Sequence, residues 1–307
     1  MAIKDLARQE LMHPGAGSCP GCVDLLSLRM TLKALGEKTV LVVPASCTAS
    51  IQCSYPKTPF QVPVLTMAFA ASGAAASGVA AALKRLGDDD VNVVVWAGDG
   101  GTYDIGLQAM SGAMERGTNF IFVCYNNEIY SNTGIQRSGA TPFGAWTTTT
   151  WTGKSEQRKD MLGIVMAHRL PYIASASPSY IEDLYRKVQK AASIKGPKYL
   201  EFHTPCAPGW RFPMEQTVEM GRLAVECGAW PLLEAENGKV TFNLRSKQIL
   251  DGKYERKPIE EYLKLQGRFA HLFRPERNEK ALAEIENWLD LEWERYRQLA
   301  ECGVAVA

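Results

Sequence analysis

A buried strand that ends in a glycine-rich turn is predicted for Val91-Asn92-Val93-Val94-Val95-Trp96-Ala97-Gly98-Asp99-Gly100-Gly101. Its apolar residues occupy both faces, as in a strand at the centre of a parallel sheet. Two similar runs flank it, Thr39-Val40-Leu41-Val42-Val43 before it and Asn119-Phe120-Ile121-Phe122-Val123-Cys124-Tyr125 after it. Helical patterns over 24–35, 73–86 and 107–116 accompany these runs, so strand and helix alternate.

The alternation continues to about residue 205. Helical patterns over 160–168 and 179–194 each precede a short strand-like run, at 172–174 and 198–202. Regular alternation predicts the α/β class with a doubly wound, mostly parallel sheet. We therefore expect residues 1–235 to form one domain.

The remaining residues, 236–307, are predicted to form a C-terminal extension. Residues 236–275 are charged and irregular apart from the strand-like Lys239-Val240-Thr241-Phe242, and an amphipathic stretch over 276–300 predicts a closing helix. This helix either packs on its own domain or docks on another subunit.

Composition excludes several classes of protein. The chain has 307 residues, a net charge of +1 and 46% hydrophobic residues, which argues against a disordered regulator and against a chain that coats nucleic acid or an anionic membrane. No apolar run has the length of a membrane span. Met1-Ala2-Ile3-Lys4-Asp5 contains no apolar signal core, so we expect a cytoplasmic protein with reduced thiols.

Polar residues follow two of the predicted strands. Asp99 follows the second, within Gly98-Asp99-Gly100-Gly101, and Asn126-Asn127 ends the third. The carboxyl ends of neighbouring parallel strands share one crevice, where α/β sheets bind ligands. A carboxylate and an amide oxygen suit Mg²⁺ that also holds phosphate oxygens, while glycines let backbone N–H groups approach the phosphates. A lone Gly-Asp-Gly usually marks a turn, but this pairing is typical of a thiamine diphosphate site.

A long polar loop over residues 128–150 follows the third strand. Its apolar content is too low for a core segment, so one interpretation is an ordinary surface loop. Because its hydrogen-bonding groups lie beside the predicted metal site, we expect it to close over diphosphate and substrate.

Eight cysteines indicate metal or redox chemistry in a reducing compartment. Cys19-Pro20-Gly21-Cys22 could be a zinc knuckle, a redox pair or half of an iron–sulfur site. No second pair and no histidine at knuckle spacing accompany it, which disfavours zinc. Its position before the first strand disfavours a thioredoxin-like motif.

Two more cysteines lie just beyond predicted strands. Cys47 follows the first strand, at the same sheet edge as Asp99, and Cys206 follows the last buried strand. Together with Cys19 and Cys22 they could supply four thiolates to one [4Fe–4S] cluster. Cys227 is the rival of Cys206 for the fourth position. The other thiols are expected to serve as small apolar residues. These are Cys53, Cys124 and Cys302.

With these motifs, the sequence resembles the thiamine-diphosphate-binding β subunit of the pyruvate:ferredoxin oxidoreductase (2-oxoacid:ferredoxin oxidoreductase) family. The resemblance is carried by Cys19, Cys22 and Cys47 at their spacing, by Gly98-Asp99-Gly100, and by Asn132-Thr133-Gly134-Ile135-Gln136-Arg137-Ser138. It extends through Pro258-Ile259-Glu260-Glu261-Tyr262-Leu263-Lys264-Leu265-Gln266-Gly267-Arg268-Phe269 and covers nearly the whole chain.

The resemblance implies specific roles for residues. Mg²⁺ is expected on Asp99, the Asn127 side chain and the Ile129 backbone carbonyl, and Asn132 is expected to be catalytic, near the reacting carbon. The cluster is expected on Cys19, Cys22, Cys47 and Cys206. The residues expected to contact the thiamine cofactor are Ser46, Cys47, Gly98, Asp99, Gly100, Gly101, Asn127, Ile129, Asn132 and Thr133.

The resemblance also implies partners and a reaction. Subunits of the α, γ and δ types would supply the pyrimidine-binding domain and a ferredoxin-like domain, with ferredoxin as acceptor in anaerobic electron transport. The expected reaction is CoA- or water-dependent oxidative decarboxylation of a small 2-oxoacid, with pyruvate as the default. Oxalate is the alternative, because Thr48-Ala49-Ser50 replaces apolar residues and Phe69-Ala70-Ala71 replaces Phe-Glu-Asn.

Two other functions are open at this point. The chain could belong to a non-oxidative thiamine diphosphate-dependent decarboxylase or synthase in which the cysteines are incidental. It could also be a non-catalytic iron–sulfur scaffold subunit.

Overall fold

The structure, a computed structural model, describes residues 6–53 and 56–302. Met1 to Asp5, on which the expectation of no signal segment depends, lie outside the described residues. The strands are β1 (Thr39–Pro44), β2 (Val64–Met67), β3 (Asn92–Gly98), β4 (Phe120–Asn126), β5 (Ile129–Tyr130), β6 (Gln136–Arg137), β7 (Tyr172–Ala176), β8 (Pro197–His203), β9 (Leu233–Glu236) and β10 (Lys239–Phe242). The helices are α1 (Val23–Leu35), α2 (Cys47–Gln52), α3 (Ser72–Leu86), α4 (Leu107–Glu115), α5 (Met161–Met166), α6 (Ile181–Ser193), α7 (Ala207–Trp210), α8 (Thr217–Glu226), α9 (Leu244–Leu250), α10 (Ile259–Lys264) and α11 (Glu279–Cys302).

Eight of these strands form one sheet in the order β10-β9-β7-β8-β4-β3-β1-β2. The six from β7 to β2 are parallel, and β9 and β10 add an antiparallel edge beside β7. The prediction of a doubly wound, mostly parallel α/β sheet is confirmed. β5 and β6 form a separate two-stranded ribbon.

Alternating side chains explain why the central strands are apolar throughout. In β3, Val94 and Trp96 pack in the hydrophobic cluster that includes Leu28 of α1 and Leu184 of α6. Their neighbours Val93 and Val95 pack in the opposite cluster, with residues of α3, α4, α5 and α8. Burial of both faces requires helices on both sides, which is the doubly wound arrangement.

The C-terminal residues pack on this sheet. β9 spans the predicted division between residues 235 and 236, and α11 buries Leu282, Leu289, Trp293 and Tyr296. The Trp293 indole donates a hydrogen bond to the Gly228 carbonyl, at 3.0 Å. A docking function of this segment stays a prediction.

Several elements differ from the expectation. Residues 236–275 are not irregular, because α9 and α10 form there through burial of apolar residues that include Ile249 and Leu263. The edge strand β2 and the strand β9, of four residues each, were not predicted from the sequence. Among the described residues, no helix combines the length and the apolarity needed to cross a membrane.

Candidate active site

The carboxyl ends of β1, β3 and β4 border one crevice. It is lined by Ala45, Ser46, Cys47, Phe69, Gly98, Asp99, Gly100, Gly101, Tyr125, Asn127, Ile129, Tyr130, Ser131 and Asn132. Nine of the ten residues that were expected to contact the cofactor are in this set. Thr133 is not; its side chain is exposed and donates to Gln136 Oε1, at 2.6 Å.

Three polar groups converge at the floor of the crevice. One terminal atom of the Asn127 amide lies 3.2 Å from Asp99 Oδ1 and 2.7 Å from the Ile129 carbonyl oxygen. If this atom is the amide nitrogen, it donates to both oxygens. If it is the amide oxygen, it accepts from the Ile129 N–H at 3.3 Å, and three oxygens face one another in a way that a cation would satisfy. The arrangement therefore suits a hard cation with oxygen ligands.

The electrostatics of Asp99 support the same conclusion. The carboxyl group is 1% exposed, and burial raises its pKa to about 8 although Ser138 donates a hydrogen bond to Oδ2. A buried carboxylate stays ionised only when charge or hydrogen bonds compensate its lost hydration. A cation beside Asp99 would provide that compensation.

Gly100 is required by a close approach of backbone and ring. A Cβ atom at this position would lie 2.2 Å from Tyr130 Cε1. The Tyr130 hydroxyl donates toward the Gly100 carbonyl at 3.2 Å and the Asp104 carboxylate at 3.1 Å. Tyr130 thereby closes one wall of the crevice.

The loop over residues 128–150 is more buried than its composition predicts. Ser138, Thr141 and Thr147 are each at most 2% exposed to solvent. Their hydroxyl groups are paired inside the protein; Thr141, for example, donates to the Glu128 carbonyl at 2.5 Å. The loop is therefore not an ordinary surface loop, because internal hydrogen bonds replace the apolar contacts that a core segment would have.

Of the four thiols proposed for a cluster, Cys47 lines the crevice, Cys206 and Cys22 lie near Cys47, and Cys19 lies near Cys206. Ser131 contacts one of them directly: its hydroxyl is 2.8 Å from Cys47 Sγ, and it also lies near Cys206. Burial raises the pKa of Cys47 to about 12 and that of Cys206 to about 11, and nearby thiolate charge adds to each shift, from Cys206 and Cys19 respectively. Within residues 6–53 and 56–302, no three His, Cys, Asp or Glu side chains are grouped closely enough to hold a single metal ion.

Cys22 completes this group. Burial raises its pKa to about 12, and Cys47 contributes to the shift. Its loop packs against the segment after Cys206, since a Cβ on Gly21 would lie 2.5 Å from the Met214 carbonyl oxygen. The four thiols thus share one neighbourhood.

The other four cysteines have different surroundings. Cys227, the rival fourth ligand, is buried after α8, where its thiol contacts the Ala224 carbonyl at 3.5 Å. Cys124 is buried in β4, as a small apolar residue would be. The same expectation is wrong for Cys53 and Cys302, which are exposed because neither faces the core.

Sequence reasoning missed several residues of the crevice wall. Tyr125, Tyr130 and Ser131 line it without having been named, whereas Phe69 belongs to the Phe69-Ala70-Ala71 stretch that was expected near the thiamine pocket, and it does line the crevice. Tyr130 and Ser131 could have been suspected from their position shortly after Asn127, but no local signal marks Tyr125. Thr48, which was expected near the substrate, donates its hydroxyl hydrogen to Asp24 Oδ2 at 3.0 Å and lies outside the crevice lining.

Comparisons with known proteins agree with this geometry. Residues 46–202 match the family described as thiamine pyrophosphate enzyme, C-terminal TPP binding domain. The chain is 46% identical to the ketoisovalerate oxidoreductase subunit VorB of Pyrococcus abyssi (95% of this chain, 94% of that protein). It is 48% identical to the pyruvate synthase subunit PorB of Methanothermobacter thermautotrophicus (93% of this chain, 96% of that protein).

A solved structure shares the fold. The 2-oxoglutarate:ferredoxin oxidoreductase from Magnetococcus marinus aligns with a TM-score of 0.55 and 20% identity, over 72% of this chain and 80% of that one. With relatives near 46–48% identity over nearly its full length, the chain belongs to the 2-oxoacid:ferredoxin oxidoreductase family, as the thiamine-diphosphate-binding β subunit of an enzyme complex.

Proposed function

We propose that this chain is the catalytic β subunit of a cytoplasmic oxidoreductase that oxidatively decarboxylates a small 2-oxoacid and passes electrons to ferredoxin. One observation carries the proposal: the Asp99 carboxylate, the Asn127 amide and the Ile129 carbonyl converge in a crevice that also contains Cys47, whose thiol lies 2.8 Å from the Ser131 hydroxyl and near Cys206. A diphosphate site and an electron-transfer site would therefore be neighbours.

The residues of the crevice fit a bound metal and cofactor. Asp99, Asn127 and the Ile129 carbonyl would hold Mg²⁺, and Gly98, Gly100, Gly101 and Ser46 would border the diphosphate. When bound, thiamine diphosphate supplies the electron sink for decarboxylation, Mg²⁺ neutralises diphosphate charge, and a [4Fe–4S] cluster accepts single electrons. We assign the cluster to Cys19, Cys22, Cys47 and Cys206 because Cys227 lies elsewhere, in the core after α8.

The chain's own side chains would orient the reacting groups. Asn132 lies at the exposed rim, where its amide can donate to a developing oxyanion, and its backbone lies near the Cys47 sulfur. The Phe69 and Tyr130 rings meet edge to face, 6.1 Å between centroids, and exclude water from one wall. Because the crevice opens beside Asn132 and Thr133, we propose that other subunits close it with a pyrimidine-binding domain.

The substrate is proposed from the character of the crevice. Its walls are small or aromatic around Ala45 and Phe69, which suits a compact 2-oxoacid. Pyruvate is our first candidate, and relatives carry pyruvate and ketoisovalerate names. The Thr48 hydroxyl is bonded to Asp24, so one of the two reasons for oxalate does not apply.

The test uses the complex co-purified with its partner subunits under strict anaerobiosis. Ferredoxin reduction is measured with pyruvate, 2-oxoisovalerate and oxalate, each with and without coenzyme A. Ferredoxin reduction with a 2-oxoacid is expected, together with the broad visible absorbance of an iron–sulfur cluster. A colourless complex that releases CO₂ without reducing ferredoxin would establish the non-oxidative alternative instead.

A matched pair of variants tests the site. Asp99→Asn should abolish turnover and magnesium-dependent cofactor binding while the visible absorbance persists. Asp183→Asn removes an equally buried carboxylate, the partner of Lys187 on α6, and should retain turnover. Full activity in Asp99→Asn would refute the thiamine site and leave the scaffold role.

A further inference from the structure

We infer that Arg268, a residue of the C-terminal segment, positions the turn Asn127–Ile129 that supplies two of the three candidate cation ligands. The inference rests on the proposed function of that turn. It assigns a role in the cofactor site to a residue 140 positions away from its partner Glu128.

The turn has a backbone conformation that needs support. Glu128, between the two ligands, has φ +63°, a left-handed value that is uncommon for a residue with a side chain. Its backbone N–H donates to Asn126 Oδ1 at 2.9 Å, and its carbonyl accepts from Thr141. These local bonds orient the peptide groups on either side of Glu128, but its side chain points into the protein and is only 4% exposed.

Arg268 meets that side chain. Its Nη2 atom donates to Glu128 Oε2 at 2.6 Å, and Arg158 lies farther away, with Nη1 3.6 Å from Oε1. Arg268 is itself 1% exposed, and its Nε donates to Gln266 Oε1 at 2.8 Å, so the guanidinium cannot swing away. An ion pair this deeply buried keeps one geometry, because either charge left alone would be strongly disfavoured.

Arg268 also reaches the other side of the turn. Its guanidinium stacks 3.7 Å from the centroid of the Trp210 ring, and the Trp210 indole donates to the Asn127 carbonyl at 2.8 Å. The planar guanidinium therefore fixes Glu128 directly and Asn127 through Trp210. A lysine could keep the charge but not the stacking and the fork of donors.

The same contacts extend to the Cys206 segment. Trp210 ends α7, which begins directly after Cys206, and a Cβ on Gly209 would lie 2.2 Å from Ile129 Cδ1. The segment thus packs against the ligand turn, and Arg268 holds it in place through Trp210. Arg268 is a positioning residue, since it lies outside the crevice lining.

The experiment uses the complex from which magnesium and thiamine diphosphate have been removed. Calorimetry then measures the binding of thiamine diphosphate at a series of magnesium concentrations. Arg268→Met should raise the apparent dissociation constant for Mg²⁺ in this assay about 10- to 100-fold, the usual effect of removing a residue that orients metal ligands. Arg268→Lys should lie between wild type and Arg268→Met. Thermal unfolding of the same cofactor-free samples reports the purely structural cost.

Lys187→Met provides the matched control. It breaks an equally buried pair, with Asp183 at 2.6 Å, on α6 and away from the turn, so it should lower thermal stability yet keep wild-type magnesium dependence. If Arg268→Met does not assemble, Arg268→Lys and the charge-neutral Glu128→Gln/Arg268→Met double variant carry the test. Wild-type magnesium dependence in the assembling Arg268 variants would overturn the inference.

A different result would count against the proposed function. Wild-type complex that binds no thiamine diphosphate with magnesium would refute the proposed site, and the inference with it. Normal binding by wild type with normal binding by the Arg268 variants would refute the positioning role alone.

Discussion

Replacing Gly100 with alanine should destabilise the site, whereas the same change at its neighbour Gly101 should not. Both glycines lie in the helical turn Gly100–Asp104, whose backbone accepts alanine. A Cβ at Gly100 would lie 2.2, 2.6 and 2.7 Å from three atoms of the Tyr130 ring. At Gly101 the nearest atoms, in Phe69 and Pro44, are 3.6 Å away, an ordinary contact.

The size of the effect follows from what holds Tyr130. The ring must move by more than an ångström, which costs about 1–3 kcal/mol as overpacking, or about 0.5–1.5 kcal/mol for each hydroxyl bond that is lost instead. Alanine recovers about 0.5–1 kcal/mol in a helical turn. The net expectation is about 1–2 kcal/mol of destabilisation for Gly100→Ala, or about 1.5–3 °C in Tm, and slight stabilisation for Gly101→Ala.

Two measurements on cofactor-free protein check this expectation. Thermal unfolding of the full chain gives the difference between the two variants. Amide hydrogen exchange in the complex should show faster exchange in peptides covering residues 99–106 and 128–134 for Gly100→Ala only. Equal Tm values and equal exchange for both variants would show that Tyr130 is not packed against Gly100 as described.

Three further predictions address other parts of the molecule. Burial holds the pKa of His203 well below its usual value, so below about pH 6.5 this residue takes up a proton in the unfolded chain but not in the folded chain. The free energy of unfolding should therefore decrease as the pH is lowered, and His203→Gln should reduce this pH dependence by up to about 1.4 kcal/mol per pH unit in denaturant titrations. Trp293→Ala should cost about 3–5 kcal/mol of unfolding free energy, while Leu291→Ala, on the same helix but 69% exposed, should change it by less than about 0.5 kcal/mol; equal losses would contradict the packing of α11. Ser131→Ala removes the hydroxyl beside Cys47 and should weaken cofactor binding by about 0.5–1.5 kcal/mol in calorimetry without loss of fold, and unchanged affinity would argue against its role in the crevice.

Much of the architecture could be predicted because its signals are local. The runs that became β1, β3 and β4 are apolar on both faces, and such strands are stable only between two layers of helices. Once these strands are parallel, Asp99, Asn127 and Cys47 must emerge at one edge. The sequence alone therefore determined the fold class and brought nine of the ten expected cofactor contacts to one crevice.

Local signals misled where burial comes from hydrogen bonds or from distant partners. Residues 128–150 look like a solvated loop, yet Ser138 and Thr141 are buried because their hydroxyl groups bond Asp99 and the Glu128 carbonyl. Thr48 follows Cys47 in sequence, but helix α2 turns its hydroxyl toward Asp24.

Only the tertiary structure decided which distant side chains meet. It separated Cys206, beside Ser131 and Cys47, from Cys227 in the core, although both follow the last parallel strand. It also paired Glu128 with Arg268 across 140 positions. Periodicity reports which face of an element is buried, whereas the partner of a buried charge depends on how separate segments pack, and no local pattern carries that information.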